Sequence, residues 1–242
     1  MIKRNYTLIL IALTFACKKE NNCIMHSGKS KKIEISTVAF TNIEINDFVD
    51  FSWNKSSEYR IEIIGGKNYL PGVNTKLEES TLIIENKNIC KFLKANVDNI
   101  QINVYCPLID TLTIKGSGEV IFNDVMQNNL WVNCLVNQGT IKLKLNNNFS
   151  KFYLESGSND IHIKGSSRYC NYYNSGINHF YARNFEVDSF RLHSRSKGVT
   201  EIRANKWLHI EQNGESDINY WGTPPEVNIT SHLGNGDIIR HN

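Results

Sequence analysis

Acidic side chains recur in small polar turns along the second half of the chain. Asp160, Asp217 and Asp237 close such turns, and Glu119 holds the same place in another. Carboxylates on adjacent turns of a stacked chain lie about 5 Å apart, the separation that retaining glycosidases use, and such a pair also suits a cation. An aspartate in a turn can instead accept backbone N–H bonds. We favour this local role because the aspartates recur, whereas an active site is local. Asp217 and Asp237 are the candidate acidic site.

Large polar and aromatic side chains face outward at corresponding places in successive repeats. The predicted outward column contains Thr113, Trp131, Tyr153, Asn171, Arg191, His209 and Asn228. Exposed Trp, Tyr and Arg are typical of surfaces that bind sugars or proteins. The candidate binding face is therefore Trp131, Tyr153, Arg191 and His209. The alternative is that these side chains only stack across strands and stabilise the sheet.

Motifs of the common enzyme and nucleotide-binding classes are missing: HExxH, GxSxG, Walker and GxGxxG do not occur. Histidines are scattered, and two of them on neighbouring turns are a weak alternative as metal ligands. The chain carries 27 basic and 24 acidic residues, a net charge of +3, which creates no strong field and predicts no nucleic-acid partner. We expect no catalytic residues, no metal and no cofactor.

A repeat of about 20 residues provides the elements that position these side chains. From Leu112 onward, one strand type recurs every 18–22 residues, and a second, which includes Val120, Ile141, Ile161, Phe180, Val199, Ile218 and Ile238, recurs every 19–21. A small polar turn separates the two strands, and the second corner holds Asn123, Gly165, Asn184, Asn205 or Gly222. Two short strands and two corners per period are typical of a solenoid whose turns stack to bury their apolar faces.

Composition supports the same fold class. The 242 residues include 29 Ile and 32 Asn but only 6 Ala. Ile favours strands, Asn favours turns and left-handed corners, and Ala is the best helix former. The sequence therefore predicts an all-β chain, a single-domain right-handed parallel β-helix with about 20 residues per turn. An antiparallel sandwich is the alternative, but its hairpins would not keep this register.

The first half is less regular and predicts earlier, more decorated turns of the same solenoid. Alternating or apolar strands are expected around residues 33–35, 43–45, 51–53, 59–63, 81–84 and 101–106. Asn68–Pro71 is predicted to form a single helical or tight turn, and Asn86–Asn99 an excursion. No boundary divides this region into a second domain.

Export is predicted from the N-terminus. Lys3 and Arg4 precede the apolar run Leu8–Leu13, and Ala16 precedes Cys17, an order typical of a signal peptide. Cys17 resembles the lipidated cysteine of bacterial lipoproteins, although a simple secretory signal is the alternative. We expect a signal peptide over 1–16, a lipidated Cys17 with a flexible tether over 17–32, and the β-helix over 33–242. The other five cysteines form no CxxC pair, so a disulfide and buried free thiols are both open.

Several short motifs, in their order and spacing, resemble one known family. They are Asn68–Pro71, Glu78–Ile84, a Pro after a strand, Asp217–Pro224 and Gly234–Ile238. Together they resemble the putative auto-transporter adhesin, head GIN domain, over about residues 35–240. The resemblance implies an exported β-helical protein of Bacteroidetes-like bacteria, commonly a lipoprotein, and supplies no catalytic residues.

These observations lead to one expected function and one alternative. We expect a non-catalytic lipoprotein of the cell envelope, at the outer membrane, with an adhesin-like surface. Its membrane contact is the N-terminal lipid, and its partner is a glycan or an envelope or surface protein. The alternative is a polysaccharide-acting β-helix enzyme that uses the stacked turn carboxylates.

Overall fold

Strands make up nearly all of the computed structural model, which describes residues 27–88 and 99–242. The strands are β1 (Ser30–Ser36), β2 (Asn42–Ile45), β3 (Asp50–Lys55), β4 (Arg60–Gly66), β5 (Val73–Glu78), β6 (Thr81–Asn86), β7 (Gln101–Cys106), β8 (Thr111–Ile114), β9 (Ser117–Phe122), β10 (Leu130–Asn174), β11 (His179–Ser194), β12 (Thr200–Gln212), β13 (Ile218–Trp221), β14 (Glu226–His232) and β15 (Ile238–Arg240). A 3-10 turn at Leu70–Gly72 confirms the short turn predicted there. Within these described ranges, no helix is long and apolar enough to cross a membrane.

Parallel pairing of successive turns builds the second half into a β-solenoid, which confirms the predicted fold class. β10 pairs with β8, β9 and β11; β11 pairs with β12; and β12 pairs with β13 and β14, all in parallel. Equivalent residues are about 20 apart, as in the pairing of Asn171 with Arg191. β10 runs for 45 residues because its corners keep strand geometry, so it continues through more than two turns.

Alternation along each strand creates the core. Burial in β8 and in the start of β10 alternates between buried and more exposed positions, so every second side chain points inward. Inward positions stack from turn to turn, as where Leu112 pairs with Val132 and Leu192 pairs with Ile210. The core is one continuous column of Ile, Leu, Val and Phe with buried thiols.

The first turns are decorated, as predicted, but they do not follow chain order, which the sequence pattern did not indicate. β2 pairs in parallel with both β6 and β8, and β3 pairs in parallel with both β7 and β9. The turn formed by β2 and β3 therefore lies between the turn of β6 and β7 and the turn of β8 and β9. The chain leaves the solenoid after β3 and returns on the outer side of its own first turn.

Antiparallel strands cover that outer side. β4 pairs antiparallel with β1 and with β7, and β5, which the sequence pattern did not indicate, pairs antiparallel with β6. An open strand edge invites association with other chains, so these three strands act as a cap. β1 begins at Ser30, inside the segment predicted to be a tether. Much of the predicted excursion, residues 89–98, lies outside the described residues.

Glycines serve two different purposes at the corners. Gly165 and Gly222 have φ of +112° and +96°, which confirms a left-handed backbone at these predicted corners. Gly236 does not have positive φ, but a Cβ atom there would lie 2.1 Å from the Ser216 carbonyl oxygen of the preceding turn. The asparagines predicted at the other corners also keep φ outside the left-handed region, so that part of the prediction is wrong.

Three of the cysteines are buried free thiols: Cys106, Cys134 and Cys170. Burial raises the pKa of Cys106 to about 11 and that of Cys134 to about 12, so both remain protonated at neutral pH. Of the two possibilities left open by the sequence, the core-thiol interpretation holds for these residues. The remaining cysteines lie outside the described residues.

Candidate binding face

The candidate binding face lies on the sheet that starts with β8 and continues through the first strand of each later turn. The order predicted for the end of its outward column is confirmed, since the chain places Asn171, Arg191, His209 and Asn228 side by side on four successive turns. Parallel strands hold these side chains about 4.8 Å apart. This part of the face is a flat, repeating surface.

Two pairs of residues that the predicted column makes neighbours are not neighbours in the structure. Trp131 pairs with Thr111 and not with Thr113. Tyr153 stacks on Tyr173, which in turn pairs with His193, so Tyr153 belongs to the neighbouring column. Both errors are of two residues. A shift of two keeps every inward and outward assignment, so hydrophobic alternation could not reveal it.

Trp131 is a large outward side chain of this face whose ring is exposed to solvent. Its side chain is 51% exposed. It has no ring partner among the described residues, although other outward aromatic rings of this sheet stack in pairs. An indole combines a large apolar surface with an N–H donor, and both are available here for a partner.

Tyr153 and Tyr173 form a tyrosine ladder beside it. Their ring centroids are 4.9 Å apart and the ring planes differ by 11°. His193 continues the ladder edge-on, with its centroid 5.2 Å from that of Tyr173. Because the tyrosine rings cover each other's faces, they offer mainly edges and hydroxyl groups to solvent. This geometry favours a stabilising role for Tyr153, the alternative that the sequence left open.

Glu211 contacts three polar side chains at the end of the tyrosine ladder. Its carboxylate lies 3.5 Å from the Arg191 guanidinium, 3.1 Å from His193 Nδ1 and 3.2 Å from His209 Nε2. The hydrogen bond with His209, together with the charges nearby, lowers the pKa of Glu211 despite partial burial. Burial lowers the pKa of His193 more than Glu211 raises it, so His193 is neutral at pH 7 and meets Glu211 as a hydrogen-bond partner.

Metal binding finds no support in the described part of the chain. It contains no group of three or more His, Cys, Asp or Glu side chains arranged to hold a metal ion. His193 and His209 each meet Glu211 within hydrogen-bond distance at the surface.

The candidate acidic residues lie on adjacent turns, as predicted. Ile218 pairs with Ile238, which places Asp217 next to Asp237. The backbone N–H of Asp237 donates to Asp217 Oδ1 at 2.9 Å. Asp50 accepts the Glu119 N–H in the same way, also at 2.9 Å. These contacts show that turn carboxylates hold the backbone of the next turn, which is the local role favoured from the sequence.

Tyr173, His193 and Glu211 are residues of this face that the predicted column did not include. A signal for them exists, because Tyr153, Tyr173 and His193 follow each other at intervals of 20 residues. The two-residue error at Tyr153 concealed it.

The sequence of this chain matches a known family model. The chain matches the family model described as putative auto-transporter adhesin, head GIN domain, over residues 39–224. The match covers most of the chain. The chain belongs to this family. The resemblance drawn from the short motifs is thereby confirmed, and the matched residues run from just after β1 to just after β13.

Solved structures share the fold of this head GIN domain. A putative adhesin from Bacteroides fragilis NCTC 9343 is 18% identical and aligns over 88% of this chain and 97% of its own, with a TM-score of 0.78. A putative lipid binding protein from Parabacteroides distasonis ATCC 8503 is 16% identical over 88% of this chain and 98% of its own, with a TM-score of 0.58. A putative adhesin from Parabacteroides merdae ATCC 43184 is 18% identical over 89% and 97%, with a TM-score of 0.53. At these identities the likeness concerns the fold alone.

A comparison of the head GIN protein with curated proteins found no match. Cys17, the predicted lipidation site, lies outside the described residues.

Proposed function

We propose that this head GIN protein is a non-catalytic, adhesin-like protein of the cell envelope that binds its partner through the candidate binding face. One observation carries the proposal: Trp131 is 51% exposed on a flat sheet and has no ring partner among the described residues. Exposed tryptophans of this kind are the residues on which binding energy concentrates. The partner is a glycan or a protein of the envelope or cell surface, in keeping with the putative adhesins among the structural neighbours.

Envelope attachment rests on the N-terminal sequence. A basic start, the apolar run Leu8–Leu13 and Ala16–Cys17 together favour export and lipidation at Cys17. A lipid at this position would tether the solenoid by its capped end, because β1 of the cap lies closest along the chain. The outer membrane is the proposed site of the anchor.

Turn carboxylates have a structural role in this proposal. One carboxylate oxygen of Asp217 already accepts a hydrogen bond from the backbone N–H of Asp237. Asp50 accepts the same kind of bond from the Glu119 N–H at the other end of the solenoid. A contact that recurs along the fold supports a turn function. The polysaccharide-acting enzyme remains the competing function to be tested.

The test compares Trp131→Ala with Tyr173→Ala in the full chain. Trp131→Ala should weaken binding to envelope fractions or an arrayed glycan by about 1–3 kcal/mol while the melting temperature stays within a few degrees. Tyr173→Ala should lower stability instead, because it breaks the tyrosine ladder. Val136→Ala is the matched control, since Val136 is 72% exposed further along the same turn and its loss should change neither quantity.

Two outcomes would contradict this proposal. Unchanged binding by Trp131→Ala would contradict the proposed face. Glycan hydrolysis that disappears in Asp217→Asn or Asp237→Asn, with the fold intact, would establish the enzyme and remove the non-catalytic assignment. An amide oxygen can still accept the turn N–H bond, so these two variants isolate the carboxylate chemistry.

A further inference from the structure

A groove crosses five consecutive turns on a different sheet from the one that carries Trp131. Its volume is about 440 Å³. The floor is the backbone of inward-facing residues such as Phe122, Leu143 and Ile163, all of them buried. Outward side chains on either side form two walls. Five turns at the parallel-strand spacing give the groove a length of about 19 Å along the solenoid.

One wall is aromatic and hydrocarbon. His162 and Tyr181 lie on adjacent turns with ring centroids 4.8 Å apart and ring planes 16° apart. Ile121 and the Lys142 side chain precede them on the same wall, and Glu201 follows. Tyr181 is only partly buried and His162 is exposed, so the wall is open to the groove.

The other wall is basic. Lys144, Lys164 and Arg183 come from three successive turns. Lys164 and Arg183 are exposed, and neither is within salt-bridge distance of a carboxylate among the described residues. Arg183 lies over the Trp221 ring, 4.5 Å from its centroid, which holds the guanidinium in place without neutralising it.

A β-bulge adds to this basic wall. His162 pairs with Tyr181, but Lys164 pairs with Asn184, so β11 has one extra residue in this interval. As a result Arg183 and Asn184 are both exposed in succession. Bulges re-aim side chains and are frequent beside binding sites. Here the bulge adds an amide next to the guanidinium on the same wall.

We propose that this basic groove binds an acidic polysaccharide, with its chain running across the turns. The sugar rings lie along the ring edges of His162 and Tyr181, which are stacked on each other, and the sugar carboxylates meet Lys164 and Arg183. Charge complementarity supports this occupant, because unpaired cations face the groove while its lining contains one carboxylate, that of Glu201. Cations repeated on successive turns suit a polymer with a repeating charge, and the ring edges and the Tyr181 hydroxyl suit the polar edge of a sugar.

The test measures the affinity of the full chain for polygalacturonate, with uncharged dextran as the reference polymer. Lys164→Ala and Arg183→Ala should each weaken polygalacturonate binding about tenfold. Arg168→Ala is the matched control, because Arg168 is equally exposed beyond the Gly165 corner and does not line the groove. Added salt should weaken binding by the unmodified chain more than binding by either groove variant.

Tyr181→Leu separates the contact with the ring edge and hydroxyl from the contact with charge. This change keeps an apolar side chain but removes the ring, so affinity should fall while the salt dependence stays as in the unmodified chain. Trp131→Ala should not affect this assay, which keeps the groove and the candidate binding face distinguishable. Folding of each variant is checked by its melting temperature.

Four results would overturn the proposal. They are equal binding of dextran and polygalacturonate, an equal loss in Arg168→Ala, full competition by single-stranded DNA, and preference for phosphatidylglycerol vesicles over polygalacturonate. The last two would assign the groove to a general polyanion or to a lipid surface.

Discussion

Asn159 shows how a residue type associated with exposed turns becomes part of a core. It is 1% exposed, and its side-chain amide donates to the Asn137 side chain at 2.8 Å and to the Asn178 side chain at 2.6 Å. Asn178 donates in turn to Asn174 at 3.0 Å. The amides form a ladder from turn to turn inside the solenoid. Their N–H groups pair with neighbouring amide oxygens and with the backbone where the chain bends, although the buried Asn159 Oδ1 accepts no hydrogen bond, and this pairing explains part of the high asparagine content.

Replacing Asn159 by Ala should destabilise the protein by about 1–3 kcal/mol. The change leaves the buried amide oxygens of Asn137 and Asn178 without this donor, and unsatisfied buried polar groups are costly. The free energy of unfolding in urea measures the effect. Asn148→Ala, an exposed asparagine on the outer surface, is the control and should be nearly neutral. Similar losses in both variants would show that the buried ladder adds nothing.

The cap strands are joined to the solenoid through one buried carboxylate. Glu62 of β4 accepts hydrogen bonds from Lys32 of β1 at 3.0 Å, from Arg60, and from Asn103 of β7 at 3.3 Å. Asn103 also accepts a hydrogen bond from Ser52 of β3 at 2.7 Å. The cluster therefore links the cap strands β1 and β4 to β7, and through Asn103 of β7 to β3 of the solenoid.

Acid should loosen this cap. Burial alone would raise the pKa of Glu62, but the hydrogen bonds from Arg60, Lys32 and Asn103 outweigh it and lower the pKa to about 2 from its ordinary 4.5. A lowered pKa in the folded state contributes stability above pH 4.5, and this contribution is lost as the pH falls towards 2. We expect a loss of about 1–3 kcal/mol over that interval.

Glu62→Gln tests the linkage. The variant should be less stable at pH 7 and should lose less stability than the unmodified chain between pH 4.5 and 2, because glutamine does not titrate. Unfolding free energies across this pH range measure both effects. Glu58→Gln, an exposed carboxylate outside the cluster, should retain the full acid dependence. Parallel pH curves for Glu62→Gln and the unmodified chain would contradict the assignment.

The whole molecule has two unlike ends. The end that carries β1, β4 and β5 is closed by antiparallel strands. At the other end, β14 pairs with β12 and β15 pairs with β13, and Val227, Ile229 and Leu233 are exposed. The N-terminal anchor proposed here would place the closed end toward the membrane and the open end away from it.

Cys17→Ser should remove the anchor without affecting the fold. The thiol accepts the lipid in the proposed lipoprotein, so the variant should incorporate no labelled palmitate and should leave the membrane fraction of cells. Cys23→Ser is the matched control, since Cys23 lies six residues further along in the predicted tether and should retain both label and membrane. Undiminished labelling of Cys17→Ser would rule out the lipid anchor.

Local patterns in the sequence were enough to predict the fold class, the length of the repeat, the family and the inward and outward sides of most strands. The reason is that burial imposes a period of two within each strand, and stacking imposes a period of about 20 between turns. The column of Asn171, Arg191 and His209 follows from these two periods alone. The adjacency of Asp217 and Asp237 follows from them too.

Only the tertiary structure decided the exact register, the order of the first turns and the groove. Shifts of two residues, as between Thr113 and Trp131 or between Tyr153 and Asn171, leave the hydrophobic pattern unchanged, so contacts between turns select among them. The position of β2 between β6 and β8 depends on pairings between residues far apart in the chain. The basic groove depends on which outward columns become neighbours and on the bulge between His162 and Lys164. The local period of the sequence predicts neither of these two features.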